Sequence, residues 1–153
     1  VMDVYAVIQN RTAKYKYIYE GLTLNFALAA HNNKKQLMQN FCIAYRHILS
    51  KHTLYATGTT GRLIEEVTNL HVHKYLAGPL GGIQQMGVQI SNNEIDMVIF
   101  LRDPMSGALE PDPAQIIKLC DMHTIPIATN LATAEMLVLG MENGDLDWRN
   151  MYK

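Results

Sequence analysis

Apolar residues fall in short, nearly unbroken runs along this chain, and each run ends in a polar or glycine-rich segment. LNFALAA, starting at Leu24, closes on HNNKK, the pattern of a strand buried on both faces. Over residues 34–49 the period changes, with Leu37, Met38, Phe41, Ala44, Tyr45 and Ile48 at helical spacing. HTLYA predicts a second strand, and TGTTG leads into a helix over about residues 62–68. HVHKYLA predicts a third strand, followed by a short helix over 83–90. DMVIFL, over 96–101, is the most clearly buried strand. A helix over 113–123, a fifth strand at IPIAT and a helix over 132–141 follow, and the tail GDLDWRNMYK predicts a last helical turn packing Trp148.

Strands alternating with helices define an α/β domain with a mainly parallel sheet. In such sheets ligands bind beyond the carboxyl ends of the strands, near a switch in strand order. The polar and glycine-rich segments fall there: HNNKK, TGTTG, GPLGG, RDPMSGALEPD and TNLAT follow the five strands in turn. Five loops are expected to converge on one rim. Residues 1–22, tyrosine-rich and ending near Gly21, read as an N-terminal extension, and 23–153 as the domain.

Composition narrows the partners. A chain of 153 residues, 48% hydrophobic, is long enough to bury a substantial core, and a formal net charge of −1 gives no support for nucleic-acid or anionic-membrane binding. The basic stretch RTAKYK reads as a solvated tail. Cys42 and Cys120 sit in apolar helical patterns without a CxxC, which suits buried thiols in a reducing cytosol. No apolar run approaches ~20 residues and no secretory h-region is present, so a soluble, cytoplasmic protein is expected. The histidines form no HExxH; His71 and His73 alternate along a strand as exposed-face residues, and no metal is expected.

The candidate chemistry lies in the loops. TGTTG, over 57–61, offers three hydroxyls, two glycines and a helix N-terminus, which suits either a phosphate or simple helix capping. It is not a P-loop, because GxxxxGK[ST] is absent. Lys35 at the mouth of the first helix either completes an anion site or is a solvated helical lysine. Asp103 forms a turn or aims a carboxylate into the cleft, and Asp112 before Pro113 caps the next helix or does likewise.

Taken together, HNNKKQLM, LYATGTTG, GPLGG-QQ-G, DMVIFLRDP, EPD and IPIATNLATAE stand in the order and spacing of one family, and the chain resembles methylglyoxal synthase over about residues 24–149, with one residue deleted near Gly107. The resemblance implies a three-layer α/β/α fold on a five-stranded parallel sheet, a homohexamer, and conversion of dihydroxyacetone phosphate to methylglyoxal and phosphate without a cofactor. It places the phosphoryl group on Lys35, Thr57, Thr59, Thr60 and the backbone of Gly78, with His31 near the substrate oxygens and Asp103 and Asp112 as the remaining carboxylates of the pattern.

The resemblance breaks at the reacting carbon. The family base is the aspartate after GPxGG, and here that position is Ile83. The family histidine three residues before the EPD aspartate is Leu109, the aspartate after the first histidine is Asn32, and a serine is replaced by Ala77. A kept phosphate cradle without its proton-transfer groups implies weak or lost synthase activity, because a positioned base contributes roughly 10²–10⁴-fold. Ile83 and Leu109 either favour an apolar group beyond the phosphate or collapse together and narrow the cleft. Two other readings stand beside the weakened enzyme. One is a non-catalytic sensor of a phosphorylated metabolite or of phosphate, a role this fold serves in carbamoyl-phosphate synthetases. The other is a structural subunit assembling with an active paralogue.

Overall fold

The computed structural model describes residues 22–152. The expected extension, apart from Leu22, and the RTAKYK stretch lie outside them. Five strands, β1 (Asn25–Ala30), β2 (Thr53–Ala56), β3 (Val72–Lys74), β4 (Met97–Leu101) and β5 (Ile127–Ala128), form one sheet in the order β3-β2-β1-β4-β5. Every pairing is parallel. The two strands with the longest apolar runs, β1 and β4, are therefore central, and the strand order reverses between them.

β4, and β1 after Asn25, are hydrophobic because helices cover both faces of the sheet. Alternate β1 residues face opposite ways. Phe26, Leu28 and Ala30 pack with Met38, Phe41 and Cys42 of α1 (Lys35–Ala44), Ile64 of α3 (Gly58–Thr68) and Ala134 and Val138 of α6 (Leu131–Glu142). Ala27 and Ala29 pack on the other face with Ile83, Met86 and Ile90 of α4 (Gly82–Ser91) and Ile116 and Cys120 of α5 (Ala114–Met122). The result is the expected three-layer α/β/α fold. Both cysteines are buried and unpaired, and burial pushes each thiol up to about 12. No helix among the described residues is long and apolar enough to cross a membrane.

Three expectations change. The helix over 34–49 is interrupted at Tyr45, whose ψ of 20° ends α1 before the short α2 (Arg46–Leu49) begins. The helix after TGTTG begins at Gly58 rather than near Arg62, so Thr59 and Thr60 belong to its first turn and Thr57 is its N-cap. In the tail, Trp148 is only half-buried. The buried residue is Arg149, at the start of α7 (Arg149–Tyr152), whose Nη1 lies 3.7 Å from Asp96 Oδ1.

The glycine pair before α4 also has a structural explanation. Gly81 adopts φ 110°, open to glycine at little cost. At Gly82 a Cβ would stand 2.0 Å from the Leu76 carbonyl oxygen. The close approach that the pair permits is to the chain's own backbone.

Candidate functional site

The segments after β1 to β4 enclose a cavity of about 500 Å³ beyond the carboxyl ends of the two central strands. It lies at the reversal of strand order, where α/β sheets bind ligands. The fifth loop, TNLAT, does not line it; there the Asn130 side chain accepts the Thr133 N–H and caps α6. A two-residue β5 at the sheet edge leaves that loop beside the cleft rather than over it.

His31, Lys35, Thr57, Thr59, Gly78, Ile83 and Leu109 all line this cavity. α3 aims its N-terminus here, and its first-turn amides have no acceptor within the helix. Thr57, the N-cap, makes no side-chain capping bond, which leaves its hydroxyl unused by the helix. Thr60 lies beneath, 1% exposed, and its hydroxyl finds no hydrogen-bond partner among the described residues. An unpaired buried hydroxyl is costly, and Thr60, unlike Thr57 and Thr59, is not among the residues lining the cavity. Lys35 points its Nζ back to the Ala30 carbonyl at 2.6 Å. Burial lowers its pKa, against which Glu110 acts to raise it.

Glu110 escaped the sequence reading. It lines the cavity, and its Oε1 accepts the Asn32 N–H at 2.6 Å. Only the folding of the loop after β4 over the loop after β1 brings it beside Lys35, and no spacing along the chain announces that.

His31, 3% exposed, is fixed at both ring nitrogens. Its Nδ1 accepts the Asp103 N–H at 2.9 Å, so the proton sits on Nε2, which donates to the Pro111 carbonyl at 2.6 Å. The imidazole thus stitches the loops after β1 and β4 together. Asp103 is buried outside the cavity lining; its oxygens accept the Met105 N–H and the Asn33 amide, both at 2.9 Å. The Met105 N–H, then the Asn33 amide and the charge of Lys34, hold its carboxyl below the usual range. Asp112 is exposed and accepts the Ala114 N–H at 2.9 Å, capping the first turn of α5. Neither aspartate lies in the cleft.

In the same cavity wall, Ile83 is 8% exposed, with its side chain in the cluster of Ala29, Met86 and Phe100. Leu109 is 91% exposed. The two therefore do not collapse on each other, and the cleft stays open between them. Among the described residues, no group of three or more His, Cys, Asp or Glu side chains could hold a metal ion.

The architecture and the position of its cleft define a doubly wound α/β protein with a cavity at the topological switch point. The profile of the MGS-like domain matches residues 38–129. Methylglyoxal synthase of Caldicellulosiruptor saccharolyticus is 60% identical over 129 residues, covering 84% of this chain and 92% of that protein. Methylglyoxal synthase of Listeria welshimeri is 55% identical over 129 residues, covering 84% and 96%. The crystal structure of methylglyoxal synthase from Elizabethkingia anophelis superposes with a TM-score of 0.73 at 40% identity, covering 76% of this chain and 77% of that one. The chain belongs to the MGS-like domain family.

Proposed function

We propose that this protein holds the phosphoryl group of a small phosphorylated metabolite, and that it turns over dihydroxyacetone phosphate weakly or not at all. The phosphoryl group would rest on Lys35, the hydroxyls of Thr57, Thr59 and Thr60, and the backbone N–H of Gly78. The N-terminus of α3 adds partial positive charge. The reaction implied by the resemblance needs a base to take a proton from the carbon beside the carbonyl, giving an enediolate that expels phosphate. The observation that carries the reading is Ile83: a buried hydrocarbon lines the cleft wall at the position to which the resemblance assigns the base. Leu109, at the family's histidine position, likewise moves no proton.

The remaining family groups support positioning rather than proton transfer. His31 has both nitrogens committed to backbone partners, Asp103 is tied into a turn, and Asp112 caps α5. We assign these three to holding the cleft's rim. Glu110 is the carboxylate that faces the cavity, and it is the group through which residual turnover would run. By the same resemblance we read the protein as a cytoplasmic homohexamer without a cofactor, its residues 23–153 forming the domain.

Methylglyoxal release from dihydroxyacetone phosphate by the purified chain, with calorimetric titration of inorganic phosphate, tests this. Phosphate binding with turnover at the uncatalysed level is expected. Turnover well above that level overturns the loss of activity and makes Glu110→Gln the next variant to assay. A second reading, a non-catalytic sensor, rests on the retention of the cradle alongside the loss of both proton-transfer groups. It predicts phosphate binding that Ile83→Asp leaves without consequence for turnover.

A further inference from the structure

The phosphate cleft is not closed at its far side. Gly78, Pro79, Ile83, Leu109, Glu110 and Pro111 line it and also line a second cavity of about 800 Å³ running between α4 and α5. Beyond that shared wall the groove is floored by Ile116 and flanked by Val88 and Leu119, with Gln84, Ser91, Asn92 and Gln115 as neutral polar groups and Asp112 as a second carboxylate beside Glu110. Val88 is 60% exposed and Leu109 91% exposed, an apolar concave surface continuous with a polar pocket.

A three-carbon phosphate presents a carbonyl and a hydroxyl just past its phosphoryl group. In this chain the wall shared with the groove presents the side chains of Ile83, Leu109, Pro79 and Pro111, which donate no hydrogen bond, and leaves Asn32 as a side-chain amide in the cavity lining. Leaving those oxygens unpaired would cost affinity. An apolar substituent gains instead by covering Ile83 and Leu109. Glu110, at the junction of the two cavities, further disfavours a second anionic group on the organic part.

Resting on the reading of the cleft as a phosphate site, we propose that the ligand is a phosphate monoester with an uncharged, apolar organic part, alkyl or aryl, lying over Ile83 and Leu109 in the α4–α5 groove. The fold thereby accepts a longer and more hydrophobic ester than a triose phosphate.

Calorimetric titration of the full chain with inorganic phosphate, glycerol phosphate and phenyl phosphate tests this. Phenyl phosphate should bind at least about tenfold tighter than either of the others. Leu109→Ser and Val88→Asn change exposed positions, and each should shrink that advantage. Lys35→Gln should weaken all three ligands. Equal binding of phenyl and glycerol phosphates overturns the proposal, as does an advantage untouched by both groove variants; phosphate binding then stands alone and the groove is left to solvent or to a second copy of the chain. If inorganic phosphate and both esters all fail to bind, the phosphate reading fails, and this inference with it.

Discussion

Replacing Ile83 with aspartate puts a carboxylate where the family's base would stand, and the structure sets both the cost and the gain. Ile83 is 8% exposed and packs against a cluster containing Ala29, Met86 and Phe100. Losing that burial, with the small void an aspartate leaves, costs about 3 kcal/mol. For a chain of this length that lowers Tm by roughly 6–12 °C. The new carboxyl is partly desolvated, which raises its pKa, while Lys35 across the same cleft favours its ionised form. Turnover should therefore rise with pH as the carboxyl ionises, and exceed that of the native chain by about 10²–10⁴-fold. Methylglyoxal release is measured beside thermal unfolding with and without phosphate. A variant that folds and is still stabilised by phosphate, yet releases no more methylglyoxal than the native chain, would refute the restoration of a base at position 83 and favour the sensor reading. An unchanged Tm would refute the packing of Ile83.

Three further outcomes follow from particular contacts. Thr60→Val removes a buried hydroxyl without a partner and should raise Tm in phosphate-free buffer while shrinking the stabilisation that phosphate confers; a full phosphate shift in the variant would remove Thr60 from the cradle. Arg149→Leu removes the guanidinium 3.7 Å from the buried Asp96, which keeps the Asn25 N–H, and should cost more than about 1 kcal/mol in urea unfolding, a smaller loss counting against the pair. Asp103, its pKa depressed, contributes stability that is fully present above the ordinary carboxylate pKa near 4 and is lost as pH falls through the lower folded value. Asp103→Asn should therefore lose stability at pH 7 and show a flatter decline between neutral pH and about pH 3, read from urea midpoints.

The alternation of apolar runs and helical periods was enough to place five parallel strands, the two central ones most plainly, because a strand buried on both faces is apolar and β4, and β1 after Asn25, are. The loop chemistry was legible as well. TGTTG, GPLGG and Lys35 meet at one cleft, and Ile83 stands in its wall. Helix boundaries were less legible: α3 begins four residues early, since glycine and threonine, weak helix formers, are held there by packing after β2.

What the sequence alone determined is the set of groups available: a lysine, threonines and a helix N-terminus that suit an anion, and a hydrocarbon at position 83. What the tertiary structure decided is which groups meet. His31 reaches Pro111 and Asp103 across loops that are far apart along the chain, which commits its nitrogens to the backbone. Asp103 and Asp112 are drawn into local turns, while Glu110 is carried to the cleft beside Lys35. Leu109 stays in the open and Ile83 is buried, so the cleft continues into the α4–α5 groove. Local spacing fixes neighbours on one helix or strand. Contacts between loops from different strands depend on how the sheet orders those strands, and only the folded chain has that order.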